Sequence, residues 1–198
     1  MATLMLGGAL AFMTVSYPPP GLRPGRSASK AWRTISRANS ILQPGDTVLI
    51  FGGKYREAIA PVRSGTAPTK ISYRAAPGET VIIESAGQLI DLRRKSYITI
   101  EGMTFRNPAQ GWGEIQEGSY NELIGNRFIG NGRGSGTAYS GLYLFDNSSY
   151  NRIMNNVFEN WGDKQTRWGD MVALCWGADR NLIEGNRFIN AGHSLLAI

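Results

Sequence analysis

One short segment recurs along the chain from residue 97 and constrains the fold more than any other feature. Its copies are 97–107 (YITIEGMTFRN), 120–131 (YNELIGNRFIGN), 150–160 (YNRIMNNVFEN) and 180–190 (RNLIEGNRFIN). Their phenylalanines, Phe105, Phe128, Phe158 and Phe188, follow one another at steps of 23, 30 and 30 residues. Repetition at such a period is typical of a solenoid, in which each copy forms one coil.

A second set of short apolar segments lies between these copies, at 89–92, 114–117, 142–145, 172–175 and 195–198. Apolar and polar residues alternate as in strands, and the stretches between them lack an apolar period of 3.6 residues, which excludes helical repeats. The Leu-x-x-Leu-x-Leu frame of leucine-rich repeats is also absent. We predict a two-strand unit that recurs five times, with the last unit cut short.

Asparagines occupy two fixed positions in the repeat. One set precedes each later phenylalanine by two residues and the other by seven: Asn126, Asn156 and Asn186, then Asn121, Asn151 and Asn181. When coils stack at the strand spacing of about 4.8 Å, side chains at one position lie above one another and amides can bond along the column. Asn also tolerates the left-handed backbone of a sharp corner. We predict that these residues build corners and do not catalyse.

An amphipathic helix is predicted over residues 31–42, with Ser29 as its cap. It is placed to cover the first coil, since a solenoid needs a capping element. The fold predicted for 29–198 is all-β, a parallel β-helix from about residue 46 with an N-terminal capping α-helix, and right-handed by the general preference of parallel crossovers. The inward ladder is predicted to be Ile124, Phe128, Leu142, Leu144, Val172, Leu174, Ile183 and Phe188.

The two ends of the chain carry separate expectations. Residues 4–15 are apolar, too short to span a bilayer and similar in length to the core of a secretion signal, although no Lys or Arg precedes them. With the Pro/Gly/Ser-rich linker that follows, they make 1–28 an export segment, or else a product of a misassigned start or truncated leader. We expect a secreted or periplasmic protein without stable membrane insertion. Residues 194–198 end within a strand, so further coils or a partner are expected to cover that end.

The segments AWRTISRAN, PGDTVLIFGGKYREAI and SYRAAPGETVII, followed by the Asn-containing coils, resemble secreted right-handed parallel β-helix proteins of the pectin-lyase-like superfamily over residues 30–198. The opening is similar to the branch that contains chondroitinase B and alginate lyases. This resemblance implies an acidic polysaccharide lying along the outer groove of one sheet, cleaved by elimination with a Lys or Arg base and often calcium. No catalytic motif of a lyase matches residue by residue.

Candidate catalytic residues therefore come from the repeat, which superposes Ser140, Asp170 and His193 at the entrance to one sheet. An Asp170–His193 pair could act as a base, with Asp170 fixing the tautomer of the imidazole. Lys164 and Arg167 on the adjoining loop would hold a substrate carboxylate and stabilise the enolate-like intermediate. The alternative is a structural Asp–His hydrogen bond that anchors the loop.

Candidate binding residues lie in the long loops at 130–140 and 161–170 and on the outer sheet face. They are Arg133, Trp112, Trp161 and Trp168 in or near the loops and Tyr143 and Phe145 on the sheet, where we place Leu142, Val172 and Leu195 inward and Tyr143, Ala173 and Leu196 outward. The aromatic rings could stack on sugars, or pack over the coil beneath them.

Composition removes several classes of protein. The single cysteine, Cys175, excludes disulfides and a cysteine zinc site and is interpreted as a structural thiol. Calcium could take oxygen ligands from Asp146, Asp163 and Asp170, but no dense Asp/Asn loop requires it, and no metal is assigned. The net charge of +6 comes from scattered basic residues, which suits an acidic polysaccharide and not nucleic acid. Two functions remain: a polysaccharide lyase, or a noncatalytic β-helix for surface or polysaccharide binding.

Overall fold

The computed structural model describes residues 13–16, 32–85, 87–106, 108, 110–132, 140–162 and 169–198. The elements in these residues are, in chain order, β1 (Met13–Ser16), α1 (Ile35–Ile41), β2 (Thr47–Ile50), β3 (Gly53–Tyr55), β4 (Ile71–Ala75), β5 (Val81–Ile83), β6 (Ile90–Asp91), β7 (Ile98–Glu101), β8 (Thr104–Arg106), β9 (Gly113–Gln116), β10 (Glu122–Ile124), β11 (Arg127–Ile129), β12 (Ser140–Phe145), β13 (Arg152–Met154), β14 (Val157–Glu159), β15 (Asp170–Leu174), β16 (Leu182–Glu184), β17 (Arg187–Ile189) and β18 (Leu196–Ala197). Among the described residues, no helix has the length and apolar character needed to cross a bilayer.

The strands form three sheets that run along a single solenoid. Sheet A has the order β1-β2-β4-β7-β10-β13-β16, sheet B the order β3-β5-β8-β11-β14-β17, and sheet C the order β6-β9-β12-β15-β18. All pairings are parallel except that of β1 with β2. Each coil from β4 onward therefore gives one strand to each sheet, which confirms the predicted parallel β-helix.

Each coil contains three strands, not the predicted two. Left-handed residues at one corner of the coil divide every copy of the repeat into a sheet A strand and a sheet B strand. These residues are Gly102, Gly125, Asn155 and Gly185, with φ between 56° and 76°. The alternation of apolar and polar residues continues through this corner. The sequence pattern therefore does not reveal where one strand ends and the next begins.

The core is a set of columns in which equivalent side chains stack. Phe105, Phe128, Phe158 and Phe188 form one column with ring centroids 4.7 to 5.2 Å apart. The predicted inward ladder is confirmed apart from Ile124, which is half-buried, whereas Leu123 is buried and pairs with Ile100 and Ile153. Leu123 and Ile124 are adjacent and both apolar, so alternation could not distinguish which of them points inward.

The asparagine columns are confirmed. The backbone N–H of Asn126 donates to Asn156 Oδ1 at 2.9 Å, and that of Asn156 donates to Asn186 Oδ1 at 2.9 Å. The column formed by Asn121, Asn151 and Asn181 bonds in the same way. Buried backbone groups at the corners thus find partners without a further strand.

Helix α1 covers the first coil, with Ile35, Ala38 and Leu42 buried in the core. It begins later than predicted, because Thr34 is the cap and its Oγ1 accepts from the N–H of Arg37 at 3.3 Å. The predicted cap, Ser29, lies outside the described residues. Strand β1, within the segment predicted as a signal, adds an antiparallel strand to sheet A.

Candidate functional site

The outer faces of sheets A and B carry charges that pair with one another between coils. On sheet A, Arg74 pairs with Glu101 of the next coil at 3.0 Å, and Lys70, just before β4, pairs at 2.7 Å with Glu122 of β10, two coils further on. On sheet B, Arg127 pairs with Glu159. Burial acts to raise the pKa of Glu122, but the hydrogen bond and charge of Lys70 outweigh burial and hold that pKa below its usual range. These groups stabilise the stack of coils, and sheet C is the better candidate for a site.

The register of sheet C defines which residues face outward. Asp91, Glu114, Tyr143, Ala173 and Ala197 form one column on the face opposite the core, in which Ala173 is covered and 2% exposed. Val172 pairs with Leu142 on one side and with Leu196 on the other, so Leu196 belongs to the inward column. The prediction of Leu195 inward and Leu196 outward is therefore wrong by one residue. The prediction used a step of 23 residues here, whereas Val172 and Leu196 are 24 residues apart.

Asp170 and His193 meet at the entrance to sheet C, although the observed register aligns Ser194, and not His193, with Asp170. Asp170 is the first residue of β15, and His193 lies in the turn before β18. His193 Nδ1 is 2.8 Å from Asp170 Oδ1, and the side chains are 51% and 19% exposed. A carboxylate can only accept, so Nδ1 carries the proton and the lone pair of Nε2 is left for a substrate. Ser194 Oγ lies 3.2 Å from Nδ1 and shares the same proton as a second acceptor.

Backbone bonds on both sides hold His193 in place. The N–H of Gly192 donates to the carbonyl of Trp161 at 2.7 Å, and the N–H of Met171 donates to the carbonyl of Ser194 at 3.0 Å. Both flanking residues are thus tied to the preceding coil. This geometry suits a base whose position is fixed before a substrate arrives.

Trp161 supports the site from below and does not face the solvent. Trp112 and Trp161 are fully buried, with ring centroids 5.0 Å apart, and Trp112 packs on Phe128 and Phe158. The predicted sugar stacking by Trp161 and Trp112 is therefore wrong, because neither ring can reach a ligand. Space for the Trp112 ring comes from Gly141, where a Cβ would lie 2.4 Å from Trp112 Cε3.

Several predicted site residues lie outside the described residues. They are Arg133, Asp163, Lys164, Arg167 and Trp168. Of the two described Asp residues proposed for calcium, Asp146 follows β12 and Asp170 begins β15, and Asp146 accepts from Gln116 Nε2 at 2.8 Å. Within the described part of the chain, no group of three His, Cys, Asp or Glu side chains is arranged to hold a metal.

An aromatic cluster formed by Tyr143, Phe145 and Trp176 occupies the opposite end of the sheet C face. The rings of Tyr143 and Phe145 stack at 4.4 Å, and the Trp176 ring meets each of them edge-on at 6.2 Å. Trp176 is 69% exposed. Burial and a hydrogen bond with the Cys175 thiol raise the pKa of Tyr143 to about 12. Tyr143 was predicted as a binding residue, and the structure places it in this cluster.

Sequence reasoning missed Trp176, which follows a predicted strand directly and lies outside the long loops. The sequence feature that could have identified Trp176 is its place directly after a predicted strand, where the coil turns. The chain turns at this corner through left-handed residues, Asp146 with φ 50° in one coil and Trp176 with φ 48° in the next. Bulky residues rarely adopt this conformation.

Comparison with known families agrees with the geometry. A family model described as the right handed beta helix region matches residues 74–198, and the chain belongs to this family. The right-handed fold is thereby confirmed. No curated protein and no solved structure gives a significant match. The similarity of the opening to the chondroitinase B and alginate lyase branch stays a prediction.

Proposed function

We propose that this β-helix protein cleaves an acidic polysaccharide by β-elimination on the outer face of sheet C. The observation that carries the proposal is the exposed His193 imidazole, oriented by Asp170 at 2.8 Å and fixed by backbone bonds on both sides. An oriented imidazole in a solvent-accessible position is suited to general base catalysis.

In the proposed step, Nε2 of His193 takes the proton from the sugar carbon next to the uronate carboxylate. The electron pair of that C–H bond becomes the new carbon–carbon double bond. The bond to the bridging glycosidic oxygen then breaks, and the oxygen leaves as an alcohol after taking a proton from solvent. Asp170 keeps its negative charge and stabilises the imidazolium that forms. Lys164 and Arg167 are proposed to neutralise the substrate carboxylate.

The test is a lyase assay on alginate, pectate and glycosaminoglycans, with and without calcium, that follows the ultraviolet absorbance of the unsaturated product. We expect His193→Ala to lower turnover at least about a hundredfold, the usual scale for a lost general base. Asn190→Ala, at an exposed corner of the solenoid, serves as a control that should leave turnover unchanged. Near-normal turnover in His193→Ala would remove this residue from the mechanism and direct attention to Arg167 or Lys164.

Export belongs to the same proposal, since a polymeric substrate lies outside the cell. Residues 4–15 are the sequence basis for it. The activity is therefore expected in the periplasmic fraction or the medium, and its confinement to the cytoplasm would contradict export.

A noncatalytic binding function is the second candidate, and the aromatic cluster favours it. Tyr143, Phe145 and Trp176 present apolar surface on a rigid sheet, which can hold a sugar without any reaction. Retention of the protein by a polysaccharide, together with no unsaturated product from any polymer in the assay, would favour this function.

A further inference from the structure

We infer that the aromatic cluster is a subsite for an uncharged pyranose, at some distance from the unit that is cleaved. Trp176 is the residue on which the sugar would stack. That the ligand is a carbohydrate rests on the proposed function. The inference adds that the bound sugar unit is uncharged and that it lies on the aromatic cluster.

The shape of the cluster supports a ring-shaped ligand. Trp176 is 69% exposed and braced by edge-on contacts with Tyr143 and Phe145, so its indole is held in position while remaining accessible. One face of a pyranose presents C–H groups that complement an aromatic ring. A braced ring also loses little conformational entropy on binding.

The backbone places Trp176 at a corner of the coil. Trp176 has φ 48°, and its carbonyl accepts from the N–H of Asn147 at 3.1 Å. The equivalent residues of the two preceding coils, Glu117 and Asp146, have φ of 51° and 50°, so the left-handed conformation belongs to the corner and the indole side chain is what distinguishes Trp176. An Asn or Gly would fit this corner with less strain, as Asn155 and Gly185 do at another corner.

The charges around the cluster select against an anionic sugar. Glu114 is paired in register with Tyr143, and both Glu114 and Asp146 act to raise the pKa of its hydroxyl. Arg93 on the same face is paired with Asp91. A uronate carboxylate would meet net negative charge here, whereas the hydroxyls of a neutral sugar can donate to Asp146 and Glu114.

The distance to His193 sets the length of the ligand. Asp170 begins β15 and Trp176 follows its end, so about six steps of roughly 3.3 Å, or about 20 Å, separate them along the strand. A glycan that touches both must run along the strand direction, perpendicular to the solenoid axis, and must contain several sugar units. The polymer would then carry uronate at the cleaved position and a neutral sugar at the cluster.

The experiment measures binding by isothermal titration calorimetry in the His193→Ala background, where cleavage does not interfere. The probes are neutral hexasaccharides of glucose and of mannose, and hexasaccharides of mannuronate and of galacturonate. We expect at least one neutral probe to bind more tightly than the uronates. Adding Trp176→Ala should weaken that binding at least tenfold and Trp176→Phe should weaken it less, with circular dichroism to confirm folding. Val62→Ala, at another exposed apolar residue, is the matched control and should change nothing.

The inference is overturned if no neutral probe binds, if Trp176→Ala binds as tightly as its parent, or if uronates bind more tightly through Trp176. Its failure is separate from that of the proposed function. Loss of the lyase reaction with Trp176-dependent neutral binding intact would remove only the proposed elimination. An active lyase that shows no such binding would remove only the subsite.

Discussion

At the scale of single residues, Asn156 links three coils through one amide. Its Oδ1 accepts from the N–H of Asn126 at 2.9 Å, and its Nδ2 donates to the carbonyl of Leu123 at 2.8 Å in the preceding coil and to Asn186 Oδ1 at 3.0 Å in the next. The side chain is 1% exposed. Asn156→Ala leaves two buried backbone groups unpaired, so we expect the free energy of unfolding to fall by about 2 to 5 kcal/mol, measured by urea denaturation.

Asn190 is the matched control for this prediction. Its Nδ2 donates to Asn160 Oδ1 at 3.0 Å, but the bond is exposed, and water can replace it. Asn190 also has φ 56°, which Ala tolerates less well than Asn, so Asn190→Ala should lower stability by about 1 kcal/mol, still less than Asn156→Ala. Equal losses in the two variants would show that the buried column has no special role.

The phenylalanine and asparagine columns could be predicted because one residue type marks the same position in every coil at a constant step. Ile124 and Leu195 could not be placed in the same way. Each has an apolar neighbour in the sequence, so alternation does not show which of the two side chains points inward. The hydrogen-bonded register between coils decides it.

At the scale of elements, a tyrosine column lines the corner that precedes sheet A. Tyr97, Tyr120 and Tyr150 stack in parallel, with ring centroids 4.9 and 5.0 Å apart and φ of 59° to 60°. The left-handed backbone costs an L-residue about 1 kcal/mol, which ring stacking offsets. The stacked tyrosine side chains therefore stabilise a corner whose backbone conformation is unfavourable for these residues.

Substitutions at Tyr120 separate these two effects. Tyr120→Ala loses both ring contacts and keeps the strained backbone, whereas Tyr120→Gly loses the contacts and relieves the strain. We expect the glycine variant to be more stable than the alanine variant by about 1 kcal/mol in thermal denaturation, the reverse of the usual order in strands. An alanine variant at least as stable as the glycine variant would contradict this account.

The loops were the least predictable elements. Trp161 occurs at a strand end beside polar residues, a pattern typical of a binding loop, yet it packs in the core. Room for its neighbour Trp112 depends on Gly141 in the next coil. The sequence holds both residues, but their contact depends on the stacking of coils that only the fold supplies.

At the scale of the whole molecule, stability should vary along the solenoid. Phe128 stacks on a ring above and a ring below, whereas Phe188 stacks on Phe158 and is only partly buried. In a solenoid each coil is stabilised mainly by its neighbours. We expect amides of β11 to exchange with solvent at least about tenfold more slowly than those of β17, measured by hydrogen exchange.

Uniform protection along the chain would instead indicate that all coils unfold as one cooperative unit.

The overall fold was largely predictable, since repetition reveals stacked coils directly. The activity was not, because a solenoid fixes only where side chains emerge, and many chemistries can be placed on the same scaffold.

The in-register pairing of sheet C also fixes the possible distances between outward side chains. Outward side chains can change their separation only by whole coils, about 4.8 Å, across the sheet, or by residue pairs, about 7 Å, along a strand. The offset between His193 and Trp176 therefore takes discrete values. Duplication of one coil would repeat the outward residues of that coil at the next rung. A binding surface of this kind can change the spacing of its contacts in steps, while its hydrogen-bonded frame stays the same.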